Sequence, residues 1–322
     1  MKLKRILLAV RDLKAPPRAA LRKAAALARA SGAAIELFHA LTEPASATAT
    51  AAPARTRGAT ARSASAAEPL AQAHARLERL ANSSILAGSR VRSQVVADRP
   101  AHEAIIRRAV QLKADLVVAA TQAHGYADRL FLRNTDWELI RHCPCPLLLV
   151  KARRQRERPL VLVAVDPFHA HDKPARLDAD LLSAGADLAR LTRGTLHAFH
   201  AYMPLVAGVE APFGELLTWQ TPEIEAVHLT QVQRAFDRLC QRADVPPARR
   251  HLEMGDVAGE LRASAAQLRA GVVVMGAVSR SRLGRVLIGS TAERVLDHLS
   301  CDVLVIKPRG FKSGVPLRVR GS

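Results

Sequence analysis

The chain has 322 residues, 49% of them hydrophobic but only 3% aromatic, which is enough for two packed domains with aliphatic cores. Its formal charge of +19 favours anionic partners such as nucleotides, nucleic acid or anionic lipid. No apolar run approaches the roughly 20 residues that span a bilayer, and the four cysteines show no framework spacing, so a membrane protein and a disulfide scaffold are excluded and the cytoplasm is expected.

Lys4–Val10 reads as a first strand. The basic start followed by Ile6–Val10 is too short for a signal peptide, because Arg11 and Asp12 end the run. Pro16 and Pro17 suit a helix start, Leu21, Ala24, Ala25 and Ala28 form its apolar stripe, and Gly32 can end it. Ala34–Ala40 is a second strand. From Glu43 to Pro69 the composition turns to Ala, Ser, Thr, Pro and Arg, which predicts a mobile insertion. A helix resumes around Leu70, Ala73, Leu77 and Ala81, then a strand at Val91–Ala97 and a helix marked by Ile105, Ala109 and Leu112. Leu116–Ala120 and Leu147–Val150 are the fourth and fifth strands.

The order then repeats. Leu160–Val165 answers Ile6–Val10, and Leu177, Leu181, Gly185 and Leu188 give a helix stripe with Gly194 after it. Leu196–Ala201 echoes Ile35–Ala40. Thr221-Pro222-Glu223 opens a helix with Leu229, Val232, Phe236 and Leu239 on one face. Leu252–Met254 is a strand, and Val257, Leu261, Ala265 and Leu268 mark a helix. Val272–Met275 and Val303–Ile306 are the last strands. The endings also match, Ile140–Cys145 against Leu296–Cys301. Strands alternating with helices predict two parallel sheets, each covered on both faces.

Between the last two strands lie Gly276, Ala277, Val278 and Ser279, then the basic Arg280, Arg282 and Arg285, then Gly289-Ser290-Thr291. Ser290 with Glu293 is a helix-start signature. Small residues let backbone N–H groups approach a phosphate, and a helix N-terminus favours negative charge. A βαβ loop whose small residues serve packing alone is the alternative.

This stretch resembles the nucleotide-binding signature of the universal stress protein family: Gly, two residues, Gly, nine residues, then Gly with Ser or Thr. Gly276, Gly289 and Ser290 match, and Ser279 replaces the second glycine. The resemblance covers nearly the whole chain. The TDWELIRHCPCP and GSTAERVLDHLSCDVLVIKP stretches look like the tandem-domain E type. It implies an α/β fold of two tandem five-stranded Rossmann-like domains, residues 1–152 and 159–308, packed as an internal pseudo-dimer through the last strands, with a basic tail at 309–322. A homodimer is allowed. The implied pocket for ATP or ADP, with Mg2+ allowed but not required, comprises Ala164, Asp166, Ala201, Met275, Gly276, Val278, Ser279, Arg280, Gly289, Ser290 and Thr291. Asp166 could instead cap a helix or turn, and Arg280 could belong to an exposed cationic loop.

In the first half, alignment back from Lys151 and Lys307 puts Ala120, Ala123 and Arg133 where Gly276, Ser279 and Gly289 stand. Arg11 takes the place of Asp166, with Asp12 one further on. Arg133, Phe131 and Trp137 add bulk, so the first half is expected to keep the fold and lose the nucleotide. No P-loop and no paired carboxylates point to chemistry, so a binding protein without fast turnover is expected. Its role by resemblance is survival of stress, DNA damage included. A slow ATPase, a nucleic-acid-associated protein and an electron-transfer flavoprotein relative are the alternatives. His142, Cys143 and Cys145 are a compact set off the standard zinc spacing, and buried packing is the preferred reading. His39, His197 and His200 are expected in the core or at an interface, and His169 and His171 in a solvated loop.

Overall fold

The computed structural model describes residues 2–42, 59–121, 134–151, 156–168, 176–204, 207–210, 216–219, 222–277, 296 and 298–317, with backbone alone at 59–68, 134, 207–210 and 216–219. The chain divides into two compact units, Lys2–Arg154 joined by Phe311–Ser322, and Gln155–Gly310.

In the first unit the elements run β1 (Arg5–Ala9), α1 (Arg18–Ser31), β2 (Ala34–Leu41), α2 (Ala59–Ala81), β3 (Arg90–Ala97), α3 (Ala101–Leu112), β4 (Leu116–Ala120), α4 (Asn134–His142) and β5 (Leu147–Val150). Strand order is β3-β2-β1-β4-β5, every pair parallel. The second unit runs β6 (Leu160–Ala164), α5 (Leu177–Leu191), β7 (Thr195–Tyr202), β8 (Ala207–Glu210), β9 (Leu216–Trp219), α6 (Pro222–Gln241), β10 (Arg250–Met254), α7 (Val257–Gln267), β11 (Val272–Gly276) and β12 (Asp302–Ile306). Its order, β10-β7-β6-β11-β12, repeats the first, again all parallel. In both sheets the winding reverses between the first strand and the fourth. Ligands of open parallel sheets sit beyond the strand ends at that reversal.

The central strands are buried on both faces, which is why they read as unbroken apolar runs. Ile6, Leu7, Leu8, Val117, Val118, Val161, Leu162, Val163, Val272, Val273 and Val274 are all inaccessible to solvent. Pro17 stands before α1, and Gly32 closes it at φ +72°, a left-handed value that costs glycine little. Asp256 caps α7 by accepting the Gly259 N–H at 3.0 Å.

Three features depart from the sequence expectation. The predicted insertion at 43–69 is helical from Ala59 onward, because its Ala-rich stretch has high helix propensity and Pro69 is accommodated within α2; residues 43–58 lie outside the described residues. The buried stripe of α6 is Val232, Phe236 and Cys240, while Leu229 stays exposed; both sets fit helical spacing, and packing selects the one that is buried. The hairpin β8–β9 was not expected, being short and set between two longer elements. The basic tail makes contacts of its own. Arg309 pairs with Asp180 at 2.6 Å in the second unit, whereas Val315 is buried and the Pro316 carbonyl accepts from Arg107 at 3.2 Å in the first. Among the described residues no helix is long and apolar enough to cross a membrane.

Candidate nucleotide site and its counterpart in the first unit

The strand ends of the two units are built alike. The N–H of Val10, just past β1, donates to the Phe38 carbonyl at 2.8 Å, and that of Val165, just past β6, donates to Phe199 at 2.9 Å. His39 Nδ1 meets the Val10 carbonyl at 2.7 Å, and His200 Nδ1 meets that of Val165 at 3.1 Å. Thr121 N–H donates to Val150 and Ala277 N–H to Ile306, each at 3.0 Å. His39 and His200 are therefore buried structural residues that pin the turn after the first strand of each unit.

The next residue separates the two. In the second unit Asp166 follows Val165 at the reversal point, half-buried. Its N–H donates to Asp178 Oδ1 at 3.0 Å, and its own Oδ1 accepts the Phe168 N–H at 3.3 Å. Asp178 lies in the first turn of α5 and is fully buried. A carboxylate there is favoured by the helix N-terminus and fixes the Asp166 backbone. Ala164, Ala201, Met275 and Gly276 stand at the ends of β6, β7 and β11, so the strand ends bring together five of the residues the resemblance implied. Gly276 also has a packing reason. A Cβ there would come within 2.9 Å of Leu177 Cδ2, so the Leu177 side chain fills the space that a side chain at 276 would take. Val278, Ser279, Arg280, Gly289, Ser290 and Thr291 lie outside the described residues, as do Arg282, His169 and His171.

In the first unit Arg11 occupies the corresponding position. Its Nη2 donates to the Ala120 carbonyl, at the end of β4, and its Nη1 is 2.8 Å from Asp136 Oδ1. Asp136, in the first turn of α4, is fully buried, and Arg11 is mostly so. The guanidinium thus spans from the strand end to the facing helix across the reversal point. Asp12 is turned to local use. Its Oδ1 accepts from Lys14 N–H at 2.7 Å and Ala15 N–H at 3.1 Å, and the bonds from Ala15 and then Lys14 hold its carboxyl below the usual range. Trp137 is half-buried, and Phe131 and Arg133 lie outside the described residues.

Residues 2–151 and 160–307 each match the Universal stress protein family. The chain belongs to the universal stress protein family. Universal stress protein E of Escherichia coli (strain K12) is 31% identical over 234 residues, 72% of each chain. Universal stress protein E of Photorhabdus laumondii is 28% identical over 230 residues, 70% of this chain and 72% of that one. Among solved structures, a functionally unknown protein of Pseudomonas aeruginosa PAO1 gives a TM-score of 0.68 at 24% identity, covering 95% of this chain and 93% of that one. A universal stress protein from Archaeoglobus fulgidus gives 0.60 at 15% identity, covering 95% and 99%. Those two show the shared fold.

Within this universal stress protein, sequence reasoning marked Arg11 and Asp166 but missed both buried partners, Asp136 and Asp178. The available signal was an acidic residue in the first turn of a helix that opens beside the strand ends. His197 and His251 form a second polar feature, at the start of β7 and β10. His197 Nδ1 is 2.9 Å from His251 Nε2, with ring centroids 5.2 Å apart. Burial, then the neighbouring His251 and Arg249, pulls His197 down to about 4, and burial lowers His251 as well. At neutral pH the pair shares one hydrogen bond between uncharged rings.

Proposed function

We propose that the second unit of this universal stress protein holds an adenine nucleotide, ATP or ADP, with Mg2+ optional, and that the first unit has given that capacity up. The carrying observation is the exchange at the second residue past the first strand of each unit. Arg11 closes the reversal point of the first unit on Asp136 and the Ala120 carbonyl. Asp166 leaves that of the second unit to a partly exposed carboxylate on a backbone fixed by Asp178. A carboxylate there can accept ribose hydroxyls. The role is a regulatory one in stress survival, with the nucleotide bound rather than rapidly turned over.

Isothermal titration of the full chain with ATP and ADP, with and without Mg2+, tests this. One site per chain is expected, lost in Asp166→Ala and kept in Arg11→Ala. A single site that survives Asp166→Ala, or is lost in Arg11→Ala, overturns the reading. Single-turnover phosphate release separates holding from slow hydrolysis. The +19 charge supports a second reading, association with nucleic acid. That reading requires affinity for DNA or RNA that falls steeply as salt rises.

A further inference from the structure

Cys143 and Cys145 flank Pro144 in the turn from α4 into β5, and their sulfurs are 3.7 Å apart. The Cys143 N–H bonds the Leu139 carbonyl at 2.9 Å, which anchors this corner to the end of α4. Cys143 is buried and Cys145 half-buried, so a small oxidant reaches Cys145 first and Cys143 waits behind it. We propose that this dithiol is a redox-modification site, closed to an intramolecular disulfide by a peroxide.

The reaction balances with peroxide as the only co-reactant. The Cys145 thiolate attacks the O–O bond, its sulfur takes one oxygen as a sulfenic acid, and the other oxygen leaves as water after protonation. The Cys143 thiolate then attacks the Cys145 sulfur, the S–O bond breaks, and the departing hydroxide takes a proton to become the second water. Two thiols lose two electrons and the peroxide gains them. The hydrogen bond to Cys143 and burial keep the Cys145 thiol well above its usual range, which leaves little thiolate and makes the first step slow.

The second unit supplies an internal control. Leu299 and Cys301 stand where Cys143 and Cys145 stand, so the equivalent corner has one thiol and cannot close the same bridge. Cys240 is buried, with its thiol pushed up to about 12 by burial, and does not compete.

The test uses the full chain, treated with hydrogen peroxide, alkylated and digested with trypsin. Arg141 and Lys151 bound one peptide carrying both cysteines. That peptide is expected to lose two hydrogens and escape alkylation, with free thiols falling from four to two and returning with dithiothreitol. In Cys143→Ala, Cys145 is expected to stop at a sulfenic acid that dimedone traps; should that variant not fold, the map of the parent chain decides alone. A fully alkylated peptide, a bridge between two chains, or sulfinic acid without a disulfide overturns the proposal.

Discussion

Arg11 and Asp166 stand at equivalent points of two sheets with the same strand order, each one residue past the pinned valine, and they do opposite things. Arg11 reaches a buried carboxylate on α4 and a strand-end carbonyl, satisfying its charge within the unit. Asp166 hands its backbone N–H to the buried carboxylate on α5, and its half-buried side chain accepts the Phe168 N–H. The hydrogen bonds around Val10 and Val165 match in the two units, so one residue changes what the reversal point offers without altering the scaffold around it.

The strongest way to break this comparison is to write the first unit's residue into the second. Asp166→Arg is expected to lower nucleotide affinity at least about a hundredfold, roughly 2.7 kcal/mol, in titration calorimetry. Unchanged affinity would mean the two positions are not functional counterparts. Next in size, Asp136→Ala leaves Arg11 without its carboxylate. Breaking a buried pair costs about 3 kcal/mol, and the partial exposure of Arg11 reduces that to about 2 kcal/mol, read as a lower urea midpoint. Asp136→Ala with Arg11→Ala should recover part of the loss.

Gly276→Ala imitates Ala120 and pushes a methyl toward Leu177, with an expected cost of about 1 kcal/mol that Leu177→Ala relieves. A loss of nucleotide affinity at unchanged stability would instead place Gly276 against the ligand. The last prediction is a pH dependence that His197 contributes in the second unit. His197 is depressed from 6.5 to about 4 in the folded chain, so the unfolded chain binds the proton more readily. Its contribution is intact above about pH 6.5 and lost as pH falls toward 4. His197→Gln should flatten that part of the urea-midpoint profile.

Most of the fold was legible because its strands are continuous apolar runs. Val272–Met275 and Leu160–Val165 have no other stable place than a buried parallel sheet. Weak periodicity misled elsewhere. The Ala-rich stretch before Pro69 has few apolar anchors, so its helix was not foreseen, and Leu229 entered the predicted face of α6 on spacing alone. Of the candidate site, the residues on strand ends followed from the strands. The buried aspartates did not, because a helix-start carboxylate reads the same whether it caps, pairs or faces water.

The sequence by itself determined the duplication, the α/β alternation and the contrast between Arg11 and Asp166, since periodicity and residue identity are local and repeat at matching positions. Only the tertiary structure decided what those two residues touch. The partners of Arg11 come from β4 and α4, and that of Asp166 from α5, elements brought to the strand ends by the winding of the sheet. A charge's meaning is set by what lies within a few ångströms of it, and chain order does not carry that distance.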